Sequence, residues 1–452
     1  MKQFSFAKTI PLALALSLAL PVIPCAHGAN PALNAVEVRT TTPLLQSWKF
    51  VQDDALSDDA ALVASGAAWQ TVSLPHTWNG SDAASTAQTT PASKQYKRGR
   101  GWYRLEFDKP SGGATQWLQF DGASIVADVW LNGKKLGQHK GAFTAFRFDV
   151  TGKLLAGKNV LLVKTDNSAP TTGSDLTAIA PLSGDFNMSG GLYRDVSLIA
   201  TPHAAHFALD DLGSSGIFAR TTAITGGKAM LSVRAKLNND ARQDGKVSVH
   251  LALLDHNGKQ VQRAQKSVAI KAGARVEASQ QLVVPQPHLW QGMDDPYLYK
   301  LVVELRDKAG VTIDKVVQDI GIRQMRFDAD KGFFLNGKLT PLHGVSLHQD
   351  YIDKGWAIGK AEIDESLGLI KELGANTIRL AHYPHSRYTA ELADRLGFVV
   401  WAEIPFVDRS LTSEFFFLPS QPVSDCRKTS VVPPQFSANL KLQLQELVRQ
   451  QY

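Results

Sequence analysis

The residues best suited to chemistry gather late in the chain. His348 lies in GVSLHQD, Arg379 and His382 in NTIRLAHYP, and Glu403 in WAEIP. Each stands where a short run of strand type ends. In a barrel of parallel strands the C-terminal ends converge on one face, and that face carries the site. Two imidazoles, a guanidinium and a carboxylate gathered there form a dense set of hydrogen-bond donors and acceptors. Each also has a plainer reading. His348 fits an exposed loop, His382 a satisfied core histidine, and Arg379 and Glu403 a structural ion pair with each other.

Such positions require parallel strands, and the surrounding sequence supplies their grammar. LTPLHGV reads as a short buried strand, NTIRLA and FVVWAEIP as two more. AEIDESLGLIKELG reads as an amphipathic helix with Ile363, Leu367, Ile370 and Leu373 on one face and Gly374 as its stop. RYTAELADRLG is a second helix. SANLKLQLQELVRQQY is a last one, capped by Ser437 and lined by Leu440, Leu444, Leu447 and Val448. Alternating strands and helices imply βα units. Three such units fill residues 327–452, whereas a complete (β/α)8 TIM barrel needs about 250 residues. The stretch is therefore expected to be the N-terminal part of one.

Ahead of it the pattern is all β. From 43 to 200, WYRLEF, TQWLQFDG, AFRFDV and NVLLVKTDN alternate in polarity, and Asn132-Gly133 supplies a tight hairpin turn. A jelly-roll β-sandwich follows. From 201 to 326, AMLSVRAKLNN, KVSVHLALLD, RVEASQQLVV and YKLVVELRD suggest a second, immunoglobulin-like β-sandwich. Trp78, Trp102 and Trp130 in the first sandwich could stack on sugar rings. Tryptophans placed in strands more often fill the core.

The chain has 452 residues, 44% of them hydrophobic and 20% charged, which fits a multidomain globular protein. Its net charge is +6, but no long Lys/Arg block appears, so nucleic acid is not expected as a partner. The first residues combine Lys2 and Lys8 with an apolar run from Ile10 to Ile23, followed by Ala26 and Gly28. Residues 1–28 read as a cleaved signal peptide, and the protein as periplasmic or secreted. Pro11, Pro21 and Pro24 break the run too early for a membrane span. Cys25 also reads as a lipid acceptor, with Pro24 a poor fit before it. Cleavage leaves Cys426 alone, so no intramolecular disulfide is expected.

In this order, several motifs resemble family 2 glycoside hydrolases, the β-galactosidase branch in particular. They are LPHTWN, YKRGRGWYR, VWLNGKKLGQHKGAF, DFNMSGGLYRDV, LWQGMDDPYLYKLVVEL, GFFLNGKLTPLHGVSLHQD and NTIRLAHYPHSRYTAELADRLGFVVWAEIP. The resemblance implies a sugar-binding jelly roll of galactose-binding type, an immunoglobulin-like sandwich and a catalytic barrel. It implies hydrolysis with retention by two glutamates, one a proton donor and one a nucleophile, about 5–5.5 Å apart. It further implies that His348 and His382 hydrogen-bond sugar hydroxyls and that Arg379 orders the pocket. Glu403 is implied as a sugar contact or as the partner of Arg379. Asp185, in DFNMSGG, is implied to reach over the site from the first sandwich and contact the terminal sugar; its plainer reading is an exposed turn aspartate.

The chain departs from the family in three places. Some members hold magnesium just beyond the third strand, but IPFVDRS offers Asp408 alone, so no metal and no cofactor are expected. Residues 415–436, FFFLPSQPVSDCRKTSVVPPQF, read as a disordered stretch or a sequence error first, and as an insertion or a lid second. The helix LKLQLQELVRQQY matches the one that precedes the strand bearing the acid/base glutamate, and neither catalytic glutamate has a counterpart here. No catalytic residue is assigned, and the chain alone is expected to be inactive. Its partner is expected to be a carbohydrate. A β-galactoside leads on HGVSLHQD and KGWAIG, then a β-glucuronide, which needs an Asn-x-Lys motif, then a β-mannoside. A non-catalytic carbohydrate-binding protein and a structural module on the sandwiches are the competing readings.

Overall fold

The computed structural model describes residues 38–64, 68–82, 96–170, 174–181, 186–406 and 434–451. The leader, Asp185, Asp408, Cys426 and all but the last few residues of the 415–436 stretch lie outside that set.

The first sandwich pairs two antiparallel sheets. One runs Thr40–Pro43, Val196–Thr201, Thr115–Phe120 and Phe146–Asp149 in spatial order; the other has six strands, from Gln70–Val72 at one edge to Lys134–Lys140 at the other. The Asn132-Gly133 hairpin forms as expected, with φ of 52° and 76° at its two central residues. Trp102 and Trp130 are buried side by side, ring centroids 6.1 Å apart, so they fill the core and do not face a sugar. Trp78 is wedged between Gly101 and Gly190, where an added Cβ would come within 2.3 and 1.9 Å of its ring. Its Nε1 donates to the Lys97 carbonyl. Those two glycines are required by that close approach.

The second sandwich follows the alternation of its sequence closely. Lys228–Asn239 buries every second residue against the strands opposite, which include Gly245–Leu254 and Tyr299–Arg306. A short antiparallel meander, Met325–Asp328, Gly332–Leu335 and Lys338–Leu339, then precedes the barrel strands. The change at Phe327 is therefore this meander, and the first parallel strand begins only at Gly344.

Three parallel strands follow: β1 (Gly344–Leu347), β2 (Thr377–Leu380) and β3 (Val399–Ala402). Between them run α1 (Lys360–Glu372) and α2 (Arg387–Leu396). The apolar face of α1 buries Ile363, Leu367 and Ile370 against Ile378 and Leu380 of β2. Leu373, expected on that face, is 75% exposed because it caps the helix where the chain turns away at Gly374, φ 77°. Strand β1 is half-exposed and not buried. Val345 and Leu347 pack toward the helices, while Gly344 and Ser346 face the other side. Among the described residues β3 pairs with β2 alone.

The last helix, α3 (Pro434–Gln450), corrects the sequence reading most. It starts before Ser437, and Leu444 and Val448 are 44% and 52% exposed. Its buried stripe is largely polar and docks on loops of the first sandwich. Asn439 donates to the Lys140 carbonyl and accepts from the Ala180 amide; Gln443 donates to the Ala180 carbonyl. Gln450 pairs with both backbone groups of Ala145. Glu446 accepts from Thr144 Oγ1 at 2.6 Å and lies 3.0 Å from His139 Nε2. Loop amides and carbonyls need partners when covered, and this face of the helix supplies them.

Glu446 joins two buried groups, so Glu446→Ala is expected to destabilise by about 1–3 kcal/mol for each one left unpaired. Glu446→Gln, which keeps an acceptor for Thr144, should cost less. Hydrogen exchange across 434–451 checks this: unchanged protection in the alanine variant would show that the polar stripe does not hold α3 in place. No helix among the described residues is long and apolar enough to cross a membrane.

Candidate active site

Register fixes the geometry at the strand ends. Ser346, Arg379 and Trp401 are partners across β1, β2 and β3, and share one face of the sheet. From the centre of that row Arg379 reaches its neighbours. Its Nε donates to Glu403 Oε1 at 2.6 Å and its Nη2 to Oε2 at 3.1 Å, a bidentate pair. Nη1 meets Ser346 Oγ at 3.3 Å, and Nη2 lies 3.1 Å from His382 Nδ1. The ion pair between Arg379 and Glu403 therefore exists, and it extends into His382.

His348 joins from the end of β1. Its ring centroid lies 5.2 Å from that of His382, with the planes at 70°. Its Nδ1 lies 3.0 Å from the Tyr383 hydroxyl. The four strand-end residues thus form one cluster. His348 is not a simple loop histidine, and His382 is partly open.

The first sandwich supplies a wall that the sequence did not mark. Phe186 lies with its centroid 5.7 Å from His348 and 5.9 Å from His382. Asp185 lies outside the described residues. Tyr96, from YKRGRGWYR, is hydrogen-bonded to Asn187; burial and the nearby Asp350 and Asp82 push its phenol upward. Phe143 stacks on Tyr383 at 4.4 Å, and Arg194 donates to Gln349 Oε1 at 2.8 Å and the Pro384 carbonyl at 3.1 Å. Sequence reasoning passed over Tyr383, Phe186 and Arg194. The available signal was position: Tyr383 directly follows His382, and Phe186 directly follows Asp185.

Behind this layer, burial pushes His385 down to about 3, so it stays neutral, its Nε2 donating to the Ala381 carbonyl. A cavity of about 250 Å³ opens nearby between the first sandwich and the starts of α1 and α2, lined by Arg194, Gln349 and His385 among others. It touches none of the four strand-end residues and belongs to the domain junction. The cluster offers several donors aimed at one place but a single carboxylate, Glu403, committed through both oxygens to Arg379. That suits holding a polyol more than breaking a bond.

Three consecutive segments match models of one family. Residues 44–202 match its sugar binding domain, 215–323 its central domain and 328–432 its TIM barrel domain, all under glycosyl hydrolases family 2. A β-glucuronidase of Bacteroides fragilis is 38% identical over 84% of this chain and 51% of its own length. A β-galactosidase of Bacteroides ovatus is 31% identical over 83% and 42%. Among solved structures, a β-glucuronidase of Bacteroides uniformis superposes with a TM-score of 0.78 at 34% identity, covering 92% of this chain and 46% of that one. A structure described as a β-galactosidase of Bacteroides fragilis gives 0.79 at 32%, over 92% and 57%. The chain spans about half the length of the curated relatives it matches. With three models of one family matched in order between residues 44 and 432, the chain belongs to glycosyl hydrolases family 2.

Proposed function

We propose that this protein acts in hydrolysis of terminal β-glycosides with retention, and that His348, Arg379, His382 and Glu403 form its sugar-recognising side. Asp185, beside Phe186, joins them as a rim contact. What carries the reading is the convergence of two histidines and the Arg379–Glu403 pair at the ends of three adjacent parallel strands, beneath an aromatic residue of the jelly roll. Both β-glucuronides and β-galactosides have support. The relative at 38% identity is named for the first and that at 31% for the second, which favours a β-glucuronide, while HGVSLHQD and KGWAIG favour a β-galactoside.

The test is hydrolysis of 4-nitrophenyl β-glucuronide and β-galactoside by this chain in a version whose barrel is completed to eight strands. His382→Ala there should lower kcat/KM by about 10–100-fold, as expected when a group that pairs with a substrate hydroxyl is lost. Hydrolysis of neither sugar, or an unaffected alanine variant, would sink the reading.

The leader reading makes the site an exported one. The mature N-terminus is expected at or near Ala29, and mass spectrometry of exported protein that still carries residues 1–28 would exclude it.

A further inference from the structure

Asparagine is followed by glycine at four places: Asn79, Asn132, Asn257 and Asn336. Such a pair can modify itself, because glycine has no side chain to shield its backbone nitrogen. That nitrogen attacks the asparagine Cγ, and the new C–N bond closes a succinimide ring. The side-chain nitrogen leaves as ammonia, taking the proton that the glycine amide gives up. Water then opens the ring at either carbonyl, leaving aspartate or isoaspartate. Closure requires an asparagine side chain free to turn its Cγ onto the next residue's nitrogen.

Three of the four side chains are gripped. Asn79 is fully buried; its Nδ2 donates to Asp82 Oδ2 at 2.7 Å and to the Lys97 carbonyl at 2.9 Å, and its Oδ1 accepts from the Gly190 amide at 2.8 Å. Asn132 Nδ2 donates to Asn159 Oδ1 at 2.9 Å, and its Oδ1 accepts from the Val160 amide at 2.8 Å. Asn336 Nδ2 donates to the Trp290 carbonyl and to Gln291 Oε1, both at 2.9 Å, while its Oδ1 accepts from the Gln324 amide at 2.9 Å. Each of these bridges must break before its ring can close.

Asn257 differs. It is exposed in the turn between the strands Gly245–Leu254 and Gln260–Ile270 of the second sandwich. Its backbone N–H donates to Asp255 Oδ1 at 2.9 Å, but among the described residues its side-chain amide makes no hydrogen bond. Open space faces Gly133, Gly258 and Gly337 alike, so the grip on the asparagine is what separates the turns. The Gly258 N–H donates to the Asp255 carbonyl at 2.9 Å, a single bond in an exposed turn that local opening releases. We propose that Asn257 is a self-modification site, converting spontaneously to aspartate and isoaspartate in the folded chain while Asn79, Asn132 and Asn336 persist. Asp255 Oδ1 accepts from the amides of both Asn257 and Lys259 at 2.9 Å, and isoaspartate lengthens the backbone between them by one methylene. A second negative charge also joins that of Asp255. The end of the hairpin should then loosen from Tyr297, whose hydroxyl meets the amide and Nδ1 of His256 at 3.3 and 3.1 Å.

The experiment ages the 452-residue chain in warm, mildly alkaline buffer, beside a sample unfolded in urea, and maps both by peptide mass spectrometry. An isoaspartate-specific methyltransferase counts the rearranged product. In the folded sample the Asn257 peptide should convert about tenfold or more faster than the other three, since each of those must first release two or three hydrogen bonds. In urea the four should convert within a few-fold of one another, which shows that structure and not local sequence separates them. Asn257→Gln should remove the fast conversion and leave the three slow ones unchanged. An intact Asn257 in the folded chain, after the time at which it has converted in urea, would overturn the proposal. So would Asn79, Asn132 or Asn336 converting as fast as Asn257 in a sample that still melts cooperatively.

Discussion

Assayed by itself, the 452-residue chain should turn over 4-nitrophenyl β-glucuronide and β-galactoside no faster than buffer. Retaining hydrolysis needs two carboxyls about 5–5.5 Å apart, one delivering a proton and the other attacking the anomeric carbon. At the described strand ends the carboxylates are Asp350 and Glu403, and Glu403 is spent on Arg379 through both oxygens. A carboxylate so committed is poorly placed to attack or to give up a proton. The remaining groups are hydrogen-bond donors and acceptors, suited to binding. Binding alone accelerates nothing unless it is stronger in the transition state. The surroundings point the same way. Fixed donors gain strength where water is excluded, but Arg379 is 41% exposed here and Trp401, in its row, 63%. Among the described residues no strand covers the outer side of β3. A version with a completed barrel should therefore exceed this chain by many orders of magnitude, since enzymes typically gain about 10⁶-fold or more. Comparable turnover by the two would overturn the argument and direct attention to Asp350 and Glu403 as catalytic groups.

What could be read from sequence was what is settled locally. The Asn132-Gly133 turn depends on two residues that accept positive φ, and it forms. The spacing of Ile363, Leu367 and Ile370 depends on one helix period, and those residues are buried. His348, Arg379, His382 and Glu403 could be found because the end of a barrel strand is a place with a rule attached. The failures are of another kind. Leu444 and Val448 promised an apolar face for α3, because helical periodicity assumes an apolar partner. The partner is a set of loop amides and carbonyls near Lys140, Ala145 and Ala180, hundreds of residues earlier, and they selected Asn439, Gln443, Glu446 and Gln450. Tyr383, Phe186 and Arg194 were missed for the same reason. Each looks like ordinary sandwich or loop material until the first domain is set against the barrel strands. Long-range pairing decided these roles, and no window of sequence contains it.

That junction should also make the fold sensitive to acid. Burial holds His385 near 3 and His76 near 4, so both stay neutral in the folded chain well below the pH at which they gain a proton when unfolded. The unfolded state then binds more protons, and stability falls as the pH drops below about 6.5. Each such histidine contributes about 1.4 kcal/mol per pH unit, so between pH 6.5 and 4.5 the pair removes on the order of 5 kcal/mol. That is a large share of a typical folding stability of about 5–15 kcal/mol. Asp121, Asp195 and Asp394, raised by their own burial, act in the opposite direction and blunt the net curve. A comparison at one site removes that complication. His385→Gln keeps an N–H for the Ala381 carbonyl, which His385 Nε2 now serves at 3.0 Å, and cannot titrate. At pH 7 the variant should be somewhat less stable, because it loses the stacking on Tyr383. As the pH falls to 4.5 the unsubstituted chain should lose about 2–3 kcal/mol more than the variant, so that their melting curves converge or cross. Arg194 adds to the effect, since its positive charge also opposes protonation of His385. A gap between the two curves that stays constant from pH 7 to pH 4.5 would mean that His385 takes up its proton equally in both states. The ring would then be reachable by water, and the packing of Tyr383, Arg194 and Gln349 around the strand ends would be looser than these contacts require.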